Sequence, residues 1–118
     1  MSDLHQRLRH DLTAALRERD RELARLLRTV LSAIANAEAQ PHEPTTAPLT
    51  EGVIAGAARG LGASEVARRE LAAHDVVAIV RSERDEWVES AEVLASRGAP
   101  EAAVALRADA AVLDRYLA

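Results

Sequence analysis

The chain has 118 residues, 48% of them apolar, a formal charge of −4 from 15 basic and 19 acidic side chains, and no cysteine. That length holds one hydrophobic core, the acidic balance argues against coating nucleic acid by bulk electrostatics, and the missing thiols exclude a disulfide framework or a thiolate metal site. Aromatics make up only 2% and Phe is absent, so the core must be Leu, Val, Ile and Ala, which suits closely approaching helices.

All the basic residues are Arg, a bias of composition that leaves room for a local basic face. The opening segment MSDLHQRLRH has no apolar stretch of the signal-peptide kind, and no apolar run approaches the roughly 18 residues of a membrane span. The expected setting is therefore the cytoplasm, with no membrane partner.

Ser2 stands where an N-cap belongs, and Leu4, Leu8, Leu12 and Leu16 recur every four residues, which predicts an amphipathic helix ending near Arg19. Asp20 is placed to cap a second helix whose apolar face is Leu23, Leu26, Leu27, Val30, Leu31 and Ile34. No Gly or Pro separates the two, so one long rod is the alternative; two helices with a tight corner is the reading adopted. The segment QPHEPTTAPLT carries Pro41, Pro44 and Pro48 and reads as a loop. In EGVIAGAARGLGASE, glycines are dense and no clean period appears, so any helix there is short. From Asp75 a third helix is predicted, with Val76, Ile79, Val80, Trp87, Ala91 and Leu94 on one side and Gly98 as its stop. Pro100 and Glu101 start a fourth, with Leu106, Ala110, Leu113 and Leu117 as its buried stripe. The last two helices, joined by SRGAP, are expected to form an antiparallel hairpin. The fold class predicted is all-α: a small bundle of about four main helices, an N-terminal pair packed on a C-terminal hairpin. Residues 1–118 form one domain in this reading, with a Pro/Gly-rich insertion or loop at about 40–72.

Motifs that would carry chemistry are missing. His5, His10, His42 and His74 are not at metal-ligand spacing. Gly56, Gly60 and Gly62 suggest a phosphate loop, but no Lys follows and a G-x-G-x-x-G register puts Glu65 where the third glycine belongs. Ser64 has no nearby His and acid pattern and reads as a cap or turn residue. No catalytic residue, cofactor or metal is expected.

One series stands out. Arg17, Arg21, Arg25 and Arg28, at spacings of four, four and three, line one face if the helix is continuous, and such a stripe contacts backbone phosphates. The ordinary reading is a solvated mixed-charge face with Glu18, Asp20 and Glu22 as partners, and a corner at Arg19 or Asp20 disperses the stripe. Arg28, beside the apolar face, is expected to clamp a carboxylate of the hairpin. Trp87 is expected in core or dimer packing, and Tyr116 as a partly buried anchor whose hydroxyl reaches solvent.

The order LRTVLSAIANAE, then VVAIVRSERDEWVESAEVLASRG, then AAVLDRYLA resembles the YqeY-like family, which is related to the tail region of the tRNA-dependent amidotransferase subunit GatB. The resemblance covers most of the chain outside the Pro/Gly-rich middle. It implies an all-α fold, tRNA or a tRNA-processing complex as partner, and only association with carbon-nitrogen ligase activity using glutamine as amide donor. It also implies a further small helical domain after the last motif. The sequence ends at Tyr116-Leu117-Ala118, so a truncated member is expected. Trp87-Val88 and Ala35 stand where the family tends to carry basic residues. Two functions are therefore expected: a non-catalytic accessory protein that binds tRNA or an aminoacyl-tRNA enzyme, or a small helical interaction module that pairs with proteins or with a second copy of itself.

Overall fold

A computed structural model of the chain describes residues 1–40 and 70–118. Residues 41–69, which make up most of the expected insertion and hold His42, Gly56, Gly60, Gly62 and Ser64 with their readings, lie outside the described residues. Those described form four helices, α1 (Asp3–Arg17), α2 (Arg21–Ala39), α3 (Ala73–Ser96) and α4 (Pro100–Leu117), and include no strand. The protein is a small all-α bundle. Its contacts separate two compact units, Met1–Ile34 with Ala72–Ala118, and Ala35–Leu71. In the second unit the described residues are the end of α2 through Gln40, and Glu70 with Leu71. The core below belongs to the first.

The N-cap of α1 is Ser2, whose Oγ accepts a hydrogen bond from the His5 N–H at 3.1 Å. The leucine repeat then meets the geometry of the helix. A step of four residues advances about 400°, so each leucine lies some 40° beyond the last. Leu8 is fully buried and Leu4 and Leu12 half buried, but Leu16 has rotated out to 48% exposure and Ala15 holds the core position in its place. His5, on the core side one turn before Leu8, is also buried.

The corner after α1 is a left-handed helix stop. Arg19 has φ 60°, its N–H donates to the Leu16 carbonyl at 3.2 Å, and the Asp20 N–H donates to the Ala15 carbonyl at 2.9 Å. This pair of reversed bonds is the Schellman arrangement, with arginine in the position glycine usually takes. Asp20 begins α2 at once: its Oδ1 accepts from the Leu23 N–H at 3.1 Å and its carbonyl from the Ala24 N–H at 3.0 Å. The N-terminal pair is therefore two helices, and the single rod does not occur.

The hairpin repeats the device with a glycine. Gly98 has φ 81°, Gly98 N–H donates to Ala95 and Ala99 N–H to Leu94, and Pro100 then opens α4. At its other end α3 starts at Ala73, two residues ahead of the predicted Asp75, because Asp75 sits in the first turn and accepts from the Ala72 N–H at 2.9 Å. α3 and α4 pack along their lengths, and α1 packs on α3. Leu8, Leu27, Val30, Ile34, Val76, Val80 and Leu113 are the largest fully buried side chains. The other buried positions of the hairpin are small, Ala91, Ala103 and Ala110, which lets two helices approach closely. Trp87 is half buried, beside Glu83 one turn back on α3.

A residue with a Cβ in the left-handed region is strained where glycine is not. Arg19→Gly is expected to raise unfolding stability by about 0.5–1 kcal/mol, the relieved strain exceeding the added chain entropy. Urea denaturation with unchanged m-value checks it; an unchanged or lower midpoint contradicts a left-handed Arg19.

Candidate functional site

Turning the chain at Arg19 redistributes the arginines. Arg21, Arg25 and Arg28 remain on one exposed face of α2 and, together with Arg19 from the corner, line an open groove of about 610 Å³. Its floor is Ala15, Leu16 and Ala24, and Asp20 stands at its edge. Arg17, the last residue of α1, does not line it. Arg19 takes the place that a continuous helix would have given to Arg17. The groove thus holds four guanidinium groups against one carboxylate, and that carboxylate already accepts the capping bond from Leu23. Exposed planar guanidiniums in such a cluster suit phosphate oxygens, which they meet with paired N–H donors.

The carboxylate clamp expected of Arg28 is made elsewhere. Arg84 on α3 reaches across the hairpin to Asp114 on α4 and along its own helix to Asp85, the latter at 2.7 Å. Arg28 is exposed and joins no ion pair among the described residues. Sequence reading therefore found three of the four groove arginines and missed Arg19. Only the non-glycine stop between Leu16 and Asp20 signalled it.

A second cleft, of about 490 Å³, opens between α1, α2 and α4. At one end the Tyr116 hydroxyl donates to Asp11 Oδ2 at 2.5 Å, and the Arg7 guanidinium lies over the phenol ring, 4.6 Å from its centre. Burial is the main force pushing the Tyr116 phenol well above its ordinary value; the hydrogen bond to Asp11 and that residue's charge add to it. Tyr116 is thus the partly buried anchor expected, but its hydroxyl does not reach for solvent as expected; it is taken up by the Asp11 carboxylate. Asp109 and Glu22 also line the cleft. Burial, then the Glu22 charge, raise the Asp109 carboxyl above its usual 3.8, while Arg25 pulls it back down. Of these residues the sequence singled out Tyr116 as an anchor and Glu22 only as an arginine partner, because the cleft draws its lining from three different helices.

Among the described residues, no three His, Asp or Glu side chains gather as a metal-holding group, and no helix is long and apolar enough to cross a membrane. Comparison with protein-family models, with curated proteins and with solved structures finds no match for this chain.

Two carboxyls have a pH consequence. Asp109 is raised as described, and Glu83 is raised from 4.5 by burial first and by Glu86 second, against the lowering bond from Trp87. Each binds a proton more readily in the folded chain than in the unfolded one. Folding is therefore penalised when both are ionised, near neutral pH, and the penalty fades as pH falls through the raised folded values toward the ordinary ones. Asp109→Asn and Glu83→Gln are each expected to gain stability over the parent at about pH 7 and to lose that advantage by about pH 4. Denaturation midpoints at the two pH values test this; a parent protein favoured at neutral pH would mean the carboxylates are stabilised as anions.

Proposed function

We propose that the protein is a non-catalytic accessory module that binds the tRNA backbone through the groove of Arg19, Arg21, Arg25 and Arg28. The clustering of those four exposed guanidiniums in one groove carries the reading. A strained residue supports it: a left-handed arginine costs about 1–2 kcal/mol of backbone energy, and such outliers concentrate where a side chain is needed in a particular direction. The resemblance of LRTVLSAIANAE and the later helical motifs to the YqeY-like family supports tRNA-dependent amidation as the setting, with Arg28 common to the motif and the groove.

The acidic net charge matters less than its distribution. Phosphate contact is local, since charges beyond about 8–10 Å are screened at physiological salt. Asp75, Glu83, Asp85, Glu86, Glu89 and Glu92 all lie on α3, away from the groove's lining. That helix would repel an RNA backbone, so an approach restricted to the α1–α2 corner is what this reading requires.

Fluorescence anisotropy of labelled bulk tRNA titrated with the full chain tests the reading. Binding should weaken with salt at a log-log slope of roughly −2 to −4, as two to four phosphate contacts give. Arg21→Glu with Arg25→Glu should abolish it, while Arg17→Glu, outside the groove, should weaken it far less. No binding at low salt, or equal losses from Arg17→Glu and the groove variant, would overturn it.

Two exposed valines near the hairpin turn, Val93 and Val104, the latter 63% exposed, favour the second reading, a self-associating module. Sedimentation velocity over a hundred-fold concentration range separates the two, because Val93→Glu/Val104→Glu dissociates a dimer that buries these valines. A parent that stays monomeric throughout excludes it.

A further inference from the structure

We propose that the arginine groove admits one unpaired nucleotide, its phosphate held by the guanidinium groups and its base lying on the apolar floor. The inference rests on the tRNA reading above and narrows it, from the backbone at large to a single-stranded end or loop. Arg19, Arg21, Arg25 and Arg28 share one opening over a floor of Ala15, Leu16 and Ala24. Ala15 and Ala24 are buried, but Leu16 is 48% exposed, an apolar side chain left open among cations. A phosphate gains nothing from such a floor, whereas the flat face of a base leaves water by lying on it. The groove's volume, about 610 Å³, is within the range of small-molecule sites.

Charge outside the groove decides against a duplex. Through the corner, Arg17, Glu18, Arg19, Asp20, Arg21 and Glu22 alternate in sign and are all exposed. A double helix is a wide rod whose phosphates would rest on that alternation and meet acids as often as cations. A ligand narrow enough to enter the groove meets four guanidiniums and one carboxylate, that of Asp20. Length agrees with width. Arg21 and Arg28 are two turns apart, about 10 Å along α2, which is room for a nucleotide or two and far short of the roughly 16 base pairs that a duplex-binding domain spans.

The guanidinium group serves both halves of a nucleotide. Its paired N–H donors match phosphate oxygens, and its plane stacks on a base. The chain's single Trp and single Tyr are both absent from the groove's lining, so no aromatic platform competes for that task. Stacking falls to an arginine on one side of the base and Leu16 on the other. Among the described residues, none of the four arginines forms an ion pair within 4.0 Å, which leaves their planes free to turn onto a ligand. Only an unpaired base offers both faces, because bases inside a duplex are already stacked on their neighbours.

The test titrates the full chain into three labelled RNAs and follows anisotropy: a single-stranded octaribonucleotide, the same strand annealed to its complement, and bulk tRNA. The single strand should bind ~10-fold or more tighter than the duplex, although the duplex carries twice the phosphates. Leu16→Ser should weaken the single strand by ~3-fold or more and leave its log-log salt slope unchanged, since no phosphate contact is lost. Arg19→Gly, a substitution the left-handed corner favours, should weaken it too and make the slope shallower by about 0.7. Adenosine monophosphate should displace the strand at a concentration where inorganic phosphate does not. Circular dichroism of the two variants confirms that each is folded. A duplex bound as tightly as the single strand, an unaffected Leu16→Ser, or displacement by phosphate alone would overturn the inference while tRNA binding still stood. Failure of all three RNAs to bind at low salt would overturn the tRNA reading with it.

Discussion

The backbone reversal at Glu18–Asp20 is the constraint on which the arrangement of charge depends. A helix continued through it would have carried Arg17, Arg21, Arg25 and Arg28 along one rod, with Glu18 and Glu22 between them. Instead the Arg19 and Asp20 N–H groups fold back on the carbonyls of Leu16 and Ala15, at 3.2 and 2.9 Å, and the chain leaves in a new direction. Reversal brings α2 alongside the rest of the bundle, with Leu26, Leu27, Val30 and Ile34 buried and Arg21, Arg25 and Arg28 outside. It also puts the side chain of the residue in the left-handed position, Arg19, into the groove those arginines form.

Charge separation follows from the same turn. Arg21 and Glu22 are adjacent on α2 and so point about 100° apart. One lines the arginine groove and the other the second cleft, whose lining it shares with Asp109. Asp20, in the corner itself, borders both cavities, and Arg25 lines the groove while still lowering the Asp109 carboxyl. A chain with more acids than bases thereby presents one strongly basic groove without any segregation of charge along its sequence.

Much of the fold was legible because its signals are local. Ser2, Asp20, Gly98 and Pro100 each act on backbone groups within a few residues, and all four act as their residue types predict. The leucine periodicity named the right helix and misplaced one residue, since a strict repeat of four drifts around a helix of 3.6 residues per turn and hands the last core position to Ala15. Arg19 was less legible. A left-handed stop is normally announced by glycine, and here only the capping Asp20 marked the place. The second cleft was legible only in single residues, Leu23, Leu26 and Tyr116, because Asp11 and Tyr116 are 105 residues apart and α4 brings Asp109 to the lining that holds Glu22 only by returning along the hairpin.

The return of α4 sets the geometry of that cleft, and small residues govern the return. With a single Trp, a single Tyr and no Phe, no bulky ring holds the hairpin helices apart at their buried positions, where Ala91, Ala103 and Ala110 lie. Close packing fixes the helices in register, and the bond from Arg84 to Asp114 crosses between them on the exposed side, where such a pair adds little stability. The face of α4 that carries Asp109, Val112 and Tyr116 is then presented to α1 and α2 as a unit. Tyr116 docks it on Asp11, to which its hydroxyl donates, with the Arg7 guanidinium over its ring.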